Sequence, residues 1–185
     1  IPTLLLDIVP GKAKDSTNAK ERSAIAIGAI TKQVKSRLCG FYDKSFAKMV
    51  IPGNLEDDFD KLKDVDWIIE AVPENVAIKQ NLFERIDAIA DKIKVISSNT
   101  SGIPISLLTK NRSEAFKSKF MVTHFFNPPR FMHLVEMVSG PQTDSDLFSS
   151  VKDVVERRLG KGVVECLDTP NFIANRVGCF DLLAA

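Results

Sequence analysis

His124 and Glu136 are the residues of this sequence best suited to moving a proton. His124 sits in an apolar run between Val122 and Phe125-Phe126 and is followed by Asn127-Pro128-Pro129; Glu136 lies within Leu134-Val-Glu-Met-Val138. A lone histidine in a strand is ordinarily a satisfied core residue. A carboxylate among four apolar neighbours, however, is costly to bury unpaired, and an imidazole on the adjacent strand would pair with it. A histidine oriented by a carboxylate is a general base. The stretch Ser97-Ser-Asn-Thr-Ser-Gly102 adds hydroxyls and an amide that could hydrogen-bond a substrate oxygen, although alone it reads equally as a turn or a helix cap.

Placing these groups requires elements with the right periodicity. Residues 1–7, 47–51, 66–72, 95–98, 120–126, 134–138 and 163–167 read as strands. Residues 12–38 and 76–93 read as helices, the second with Ile78, Leu82, Phe83, Ile86 and Ile89 on one stripe. Residues 105–116 read as helix or broken helix, and 144–159 as a helix that Gly160 ends. The alternation predicts an α/β fold, a doubly wound, largely parallel sheet covered on both faces. Residues 1–168 would form that domain. Residues 169–185, helix-compatible with no strand after them, read as a linker and the first helix of a helical domain. The opening Ile1-Pro-Thr-Leu-Leu-Leu-Asp7, apolar and lacking an initiator Met, reads as a buried parallel strand and predicts an N-terminal truncation.

Doubly wound sheets bind ligands at the carboxyl ends of their strands. Asp7 ends the first strand, where a carboxylate can accept both hydroxyls of an adenosine ribose, or else is a solvated loop acid. Glu74 closes Glu70-Ala-Val-Pro-Glu74, and Lys79 follows five residues later; both can face one crevice, or form a surface salt bridge. The glycine-rich phosphate turn is absent. The only GxG, Gly160-Lys161-Gly162, falls between a helix end and a strand, where it reads as a helix cap and turn.

Composition removes several classes. Lys+Arg 25 against Asp+Glu 24 leaves +1 over 185 residues, so no overall field draws nucleic acid or an anionic membrane. No apolar stretch approaches the ~20 residues that cross a bilayer. Cys39, Cys166 and Cys179, widely spaced, with only His124 and His133 beside them, disfavour zinc fingers and a disulfide framework. Unpaired thiols fit a reducing compartment such as the cytoplasm.

The residues that carry a family likeness are Leu4–Asp7, Trp67-Ile-Ile-Glu-Ala-Val-Pro-Glu-Asn75 with Lys79, Ser98-Asn-Thr-Ser101, Thr123-His-Phe-Phe-Asn-Pro128, Met132-His-Leu-Val-Glu136 and Asp168-Thr-Pro-Asn-Phe-Ile-Ala-Asn-Arg176. In this order they resemble the NAD-binding domain of the 3-hydroxyacyl-CoA dehydrogenases across almost the whole chain. The resemblance implies a Rossmann-like domain whose first strand and Gly-rich loop are missing. It implies NAD as cofactor and no metal, with L-3-hydroxyacyl-CoA oxidised to 3-ketoacyl-CoA in fatty-acid β-oxidation. His124 would be the base, oriented by Glu136, while Ser101 and Asn175 would hold the substrate. Asp7, Glu74, Lys79, Ser101 and Asn127 would face the cofactor, with Lys79 near the path it shares with CoA. The resemblance also implies a homodimer formed through the helical domain, and allows fusion to an enoyl-CoA hydratase. Asn171 and Pro129-Arg130 depart from the family pattern, where Gly and a more apolar pair are common. Two other readings stand beside it: a dehydrogenase of free hydroxy acids, and a non-catalytic crystallin-like protein.

Overall fold

A computed structural model of the chain describes residues 1–184. Two compact units emerge, Ile1–Leu62 with Pro128–Arg130, and Lys63–Asn127 with the chain from Phe131 onward.

In the first unit, β1 (Thr3–Asp7) pairs in parallel with β2 (Val50–Asn54), Leu5 opposite Pro52 and Asp7 opposite Asn54. β1 was expected to be buried, but with a single partner strand its residues are only partly covered. β2 begins later than expected and continues through Pro52-Gly53. Among the described residues its one hydrogen-bonded neighbour is β1, and an edge strand tolerates a residue without an N–H. The long helix expected over 12–38 is broken into a 3-10 turn at Gly11–Ala13, α1 (Ala19–Arg22) and α2 (Ala24–Lys35). The Asn18 side chain accepts the Lys20 N–H and starts α1, while Ser23 lies outside helical geometry and separates the two. Arg130 Nη1 donates to the carbonyls of Cys39 and Phe41 at 2.7 and 2.8 Å, and its guanidinium lies over the Tyr42 ring. The polar residue of the unusual Pro129-Arg130 pair thus fastens Pro128–Arg130 to this unit.

The second unit is a five-stranded sheet in the order β3 (Trp67–Glu70), β4 (Val95–Ser98), β5 (Phe120–Phe125), β6 (Leu134–Ser139), β7 (Gly162–Cys166). The neighbours β3–β4, β4–β5 and β6–β7 are parallel, each joined through a helix or a helix pair: α3 (Val76–Asp87), α4 (Ile105–Leu108) with α5 (Glu114–Lys119), and α6 (Ser145–Arg157). The β5–β6 pair has only a short loop between its strands and is antiparallel. This is the mostly parallel, Rossmann-like α/β arrangement expected. Among the described residues no strand joins the β1–β2 ladder to it by hydrogen bonds. The last helix, α7 (Ala174–Ala184), follows β7 as anticipated.

Local chemistry sets the boundaries. Asn75 and Asp144 cap α3 and α6 by accepting the N–H groups of Ile78 and Leu147, and Gly160, at φ +65°, reverses the chain after α6. β3 stops at Glu70 because that carboxylate accepts the Val72 N–H at 2.6 Å and turns the backbone. α6 inserts Phe148, Val151 and Val155 against Val95, Met121, Val135 and Met137 of the sheet. Phe83, Phe116 and Phe120 form an aromatic triangle with centroids 5.3–5.6 Å apart. Phe116 has no exposed surface, so Phe116→Ala should lower the unfolding free energy by about 3–5 kcal/mol, read by urea titration. A loss below about 1 kcal/mol would show that the triangle is not packed as described.

Candidate active site

The antiparallel ladder sets His124 of β5 directly opposite Glu136 of β6. Facing residues of such a pair have side chains within reach, and His124 Nδ1 lies 2.9 Å from Glu136 Oε2 with both residues buried. The other carboxylate oxygen, Oε1, accepts the N–H groups of Ile173 and Ala174 at 3.0 and 2.7 Å and lies 3.7 Å from the Cys166 thiol. Two backbone donors at the start of α7 and a thiol occupy Oε1, which leaves Oε2 as the acceptor facing Nδ1; an imidazole that donates through Nδ1 carries its lone pair on Nε2. The rings of Phe126 and Phe172 flank the imidazole, with centroids 4.5 and 6.0 Å away.

The two N–H groups are delivered by a strained turn. Asn171 and Phe172 both have left-handed backbones, φ +63° and +48°. Asn tolerates that region, which accounts for an asparagine standing where the family pattern has glycine. Phe172 is held there by burial of its ring. Gly102 lies against the same turn, and a Cβ at that position would come within 2.6 Å of the Asn171 nitrogen.

Asn175, one residue into α7, donates its side-chain N–H to the Ser101 carbonyl at 3.4 Å, which brings the two expected substrate-holding residues together. Ser101 is exposed; its N–H donates to Glu74 Oε1 at 2.8 Å, beside the Thr100 hydroxyl at 2.5 Å. Asn99 Oδ1 accepts the Phe125 N–H and ties this turn to the end of β5. Partial burial opposes ionisation of Glu74, but the hydroxyl of Thr100, the N–H of Ser101 and the ammonium of Lys79 outweigh it and hold the carboxyl below its ordinary pKa.

Lys79 is 1% exposed and lies between two carboxylates, 2.8 Å from Glu70 Oε1 and 3.2 Å from Glu74 Oε2; the ion pair with Glu74 that could have been a surface salt bridge is buried at its lysine end. The reason is electrostatic: Glu70 is fully buried at the end of β3 and needs a counter-charge. The inward stripe of α3 is accordingly Lys79, Phe83 and Ile86, while Ile78 of the expected stripe is half exposed. Asn127 lies exposed in the bend after β5. Asp7 closes β1 in the other unit, partly buried, with Oδ1 accepting the Ile8 N–H at 2.7 Å. An acceptor carboxylate at the carboxyl end of a parallel strand fits a ribose diol. Gly160 and Gly162 end α6 and open β7, so that GxG pair is no phosphate turn.

Residues 1–169 match the family model described as 3-hydroxyacyl-CoA dehydrogenase, NAD binding domain. The chain belongs to the 3-hydroxyacyl-CoA dehydrogenase family. It is 42% identical to a Deinococcus radiodurans protein named "Probable 3-hydroxyacyl-CoA dehydrogenase", with all of this chain and 52% of that protein aligned. A Bacillus subtilis protein of the same name is 43% identical over 99% of this chain and 24% of its own length. The chain therefore spans about half, or a quarter, of these relatives. The solved (S)-3-hydroxybutyryl-CoA dehydrogenase of Ralstonia eutropha superposes with a TM-score of 0.68 at 29% identity, covering 95% of this chain and 58% of that one. NAD is the cofactor of the matched domain class.

Two outcomes follow from the site's electrostatics. Burial, and then the charge of Glu136, push the Cys166 thiol up to about 11 from an ordinary 9.0. A shift of that size leaves about a hundredth of the ordinary thiolate near neutral pH, so iodoacetamide should label exposed Cys179 well before Cys166. Equal labelling by peptide mapping would contradict the burial. For Glu74 the folded pKa is lowered, so its stabilisation is complete above the ordinary glutamate range and is lost as pH falls through the lowered value. The stability gap between wild type and Glu74→Gln should close as pH drops from about 6 toward about 3; a constant gap in urea titrations would refute the assignment.

Proposed function

We propose that this chain is the NAD-binding part of an L-3-hydroxyacyl-CoA dehydrogenase that serves fatty-acid β-oxidation, with His124 as its general base. The observation that carries this reading is the buried pair between His124 Nδ1 and Glu136 Oε2, 2.9 Å long, which leaves Nε2 as the basic nitrogen. The proton of the substrate's 3-hydroxyl passes to Nε2 as the C3–H bond breaks and the C3–O bond becomes a carbonyl. The nicotinamide of bound NAD supplies the hydride acceptor. Glu136 stabilises the imidazolium that forms, while two N–H groups and a thiol hold its other oxygen in place. Ser101 and Asn175, joined through the Ser101 carbonyl, receive the substrate's oxygen and thioester end. Asp7 holds the adenosine ribose, and Glu74 and Asn127 lie on the cofactor side.

The same reading makes the chain one portion of a longer polypeptide, as the lengths of its relatives suggest, with room for a fused enoyl-CoA hydratase. Exposed Val177 and Phe180 give α7 an apolar surface for further helices, the domain to which we assign a homodimer contact. Three free thiols support a cytoplasmic location.

The test is His124→Gln in the natural polypeptide, assayed by NADH oxidation with acetoacetyl-CoA. Turnover should fall about 10³-fold, within the range for loss of a general base, while NADH binding followed by fluorescence stays within about twofold. Turnover retained within about tenfold would reject His124 as the base.

A further inference from the structure

The turn after β4 is tied directly to the sheet at its start. The Asn99 N–H donates to the Glu70 carbonyl at 2.8 Å and the Thr100 N–H to Ser98 Oγ at 3.2 Å, which fixes the backbone up to Thr100. Beyond that residue the donors change destination. The Gly102 and Ile103 N–H groups run back to the Thr100 hydroxyl oxygen, at 3.4 and 3.1 Å, and the Ser101 N–H goes to Glu74 Oε1 at 2.8 Å. That same carboxylate oxygen accepts the Thr100 hydroxyl at 2.5 Å. Pro104 has no N–H, so every backbone donor between Thr100 and Ile105 depends on one hydroxyl, two directly and the third through the carboxylate it engages.

A hydroxyl has one proton to donate and two lone pairs to fill, and that of Thr100 has all three in use. Thr100 has no exposed surface, so solvent cannot take these bonds over. Glu74 is half exposed and sits on a loop, its other oxygen 3.2 Å from Lys79 Nζ, and a buried hydroxyl donating to it adds direction that the loop alone lacks. The place of the turn has little latitude. Gly102 packs against the segment between β7 and α7, where an added Cβ would meet the Asn171 nitrogen at 2.6 Å and its Cα at 3.0 Å. Ile105 is held to the same segment, its N–H donating to Asp168 Oδ2 at 3.0 Å. Ser101, whose carbonyl receives the Asn175 side chain, lies between these contacts and the sheet.

We propose that Thr100 is a positioning residue, its buried hydroxyl shaping the backbone of residues 101–103 and aiming Glu74 at the Ser101 N–H, and so setting Ser101 beside Asn175. Its effect on turnover rests on the function proposed above; its effect on the turn does not. Being enclosed, Thr100 acts through Ser101 and Glu74.

The experiment compares two variants of the natural polypeptide: Thr100→Val, which keeps the branched shape and loses the hydroxyl, and Thr100→Ser, which keeps the hydroxyl. In Thr100→Val the Ser101 amide should exchange with deuterium about tenfold faster or more, the scale of losing a charge-assisted hydrogen bond, and Thr100→Ser should restore it. Ser101 is the decisive amide because its own acceptor, Glu74, is unaltered in both variants. kcat/KM for acetoacetyl-CoA should fall about ten- to a hundredfold in Thr100→Val and recover in Thr100→Ser, whereas a merely structural role would lower the melting temperature and spare kcat/KM. Wild-type protection at Ser101 in Thr100→Val would overturn the proposal, and so would failure of Thr100→Ser to restore it. Faster exchange at Ser101 with unchanged kcat/KM would support the positioning and instead reject the substrate role of Ser101. Should Thr100→Val not fold, the wild-type protein decides: the Ser101, Gly102 and Ile103 amides should open together, with protection factors within about threefold of one another, and a spread beyond about tenfold would show that no single group supports them.

Discussion

A buried carboxylate must find donors, and in this chain Glu136 finds them on three separate segments. His124 comes from β5, Cys166 from the end of β7, and the Ile173 and Ala174 N–H groups from the turn into α7. Leaving any of these out would strand charge in a place with no solvent to take over, a cost of several kcal/mol in order of magnitude. The constraint therefore works on the backbone as well as on side chains. Two consecutive left-handed residues, Asn171 and Phe172, hold a conformation that costs on the order of 1–3 kcal/mol each, because the turn they make brings two N–H groups to one oxygen. The same turn sets Asn175 near Ser101, so the place of that amide depends on the acid paired with His124.

A second buried acid repeats this logic with a different partner. Glu70 ends β3 and is matched by the ammonium of Lys79, whereas Glu136 is matched by an imidazole. The residue types decide what each pair can do. An imidazole can both take and give a proton, so a carboxylate beside it leaves that chemistry open. A lysine ammonium engaged by two carboxylates is a fixed point charge with three directed donors, which suits it to holding groups in place.

The His124–Glu136 pairing was legible in the sequence because a lone acid inside Leu134–Val138 has few physical explanations, and a histidine in the neighbouring apolar run supplies one. What the pattern could not supply was direction. Strict alternation of strands and helices suggests parallel pairing throughout, and only the short loop after His124 hints that β6 runs back along β5, the arrangement that brings His124 and Glu136 face to face. For Lys79 the sequence offered a crevice shared with Glu74 or a surface salt bridge to it; the ion pair is there, but the lysine end is buried against Glu70 while Ile78 takes the exposed face. Glu70, whose position at a strand end was visible, is the signal that could have shown this. The break in the 12–38 helix depends on the Asn18 side chain, which accepts the Lys20 N–H, and on the non-helical backbone of Ser23, local effects that a count of apolar spacings passes over. Cys166 and Phe172 have no signature in the sequence as site residues, since a thiol near a carboxylate and a ring over an imidazole arise only from tertiary packing.

The site's two halves differ in how firmly they are held. The His124–Glu136 pair is enclosed by strands and flanked by aromatic rings, so the imidazole keeps one orientation. Ser101 is exposed on a turn that a half-exposed carboxylate helps to support. Ionic hydrogen bonds to one loop carboxylate give it definition while leaving the turn accessible, because they are directional yet need no overlying layer of packed side chains. Burial thus fixes the first group, and directional contacts to a loop acid the second.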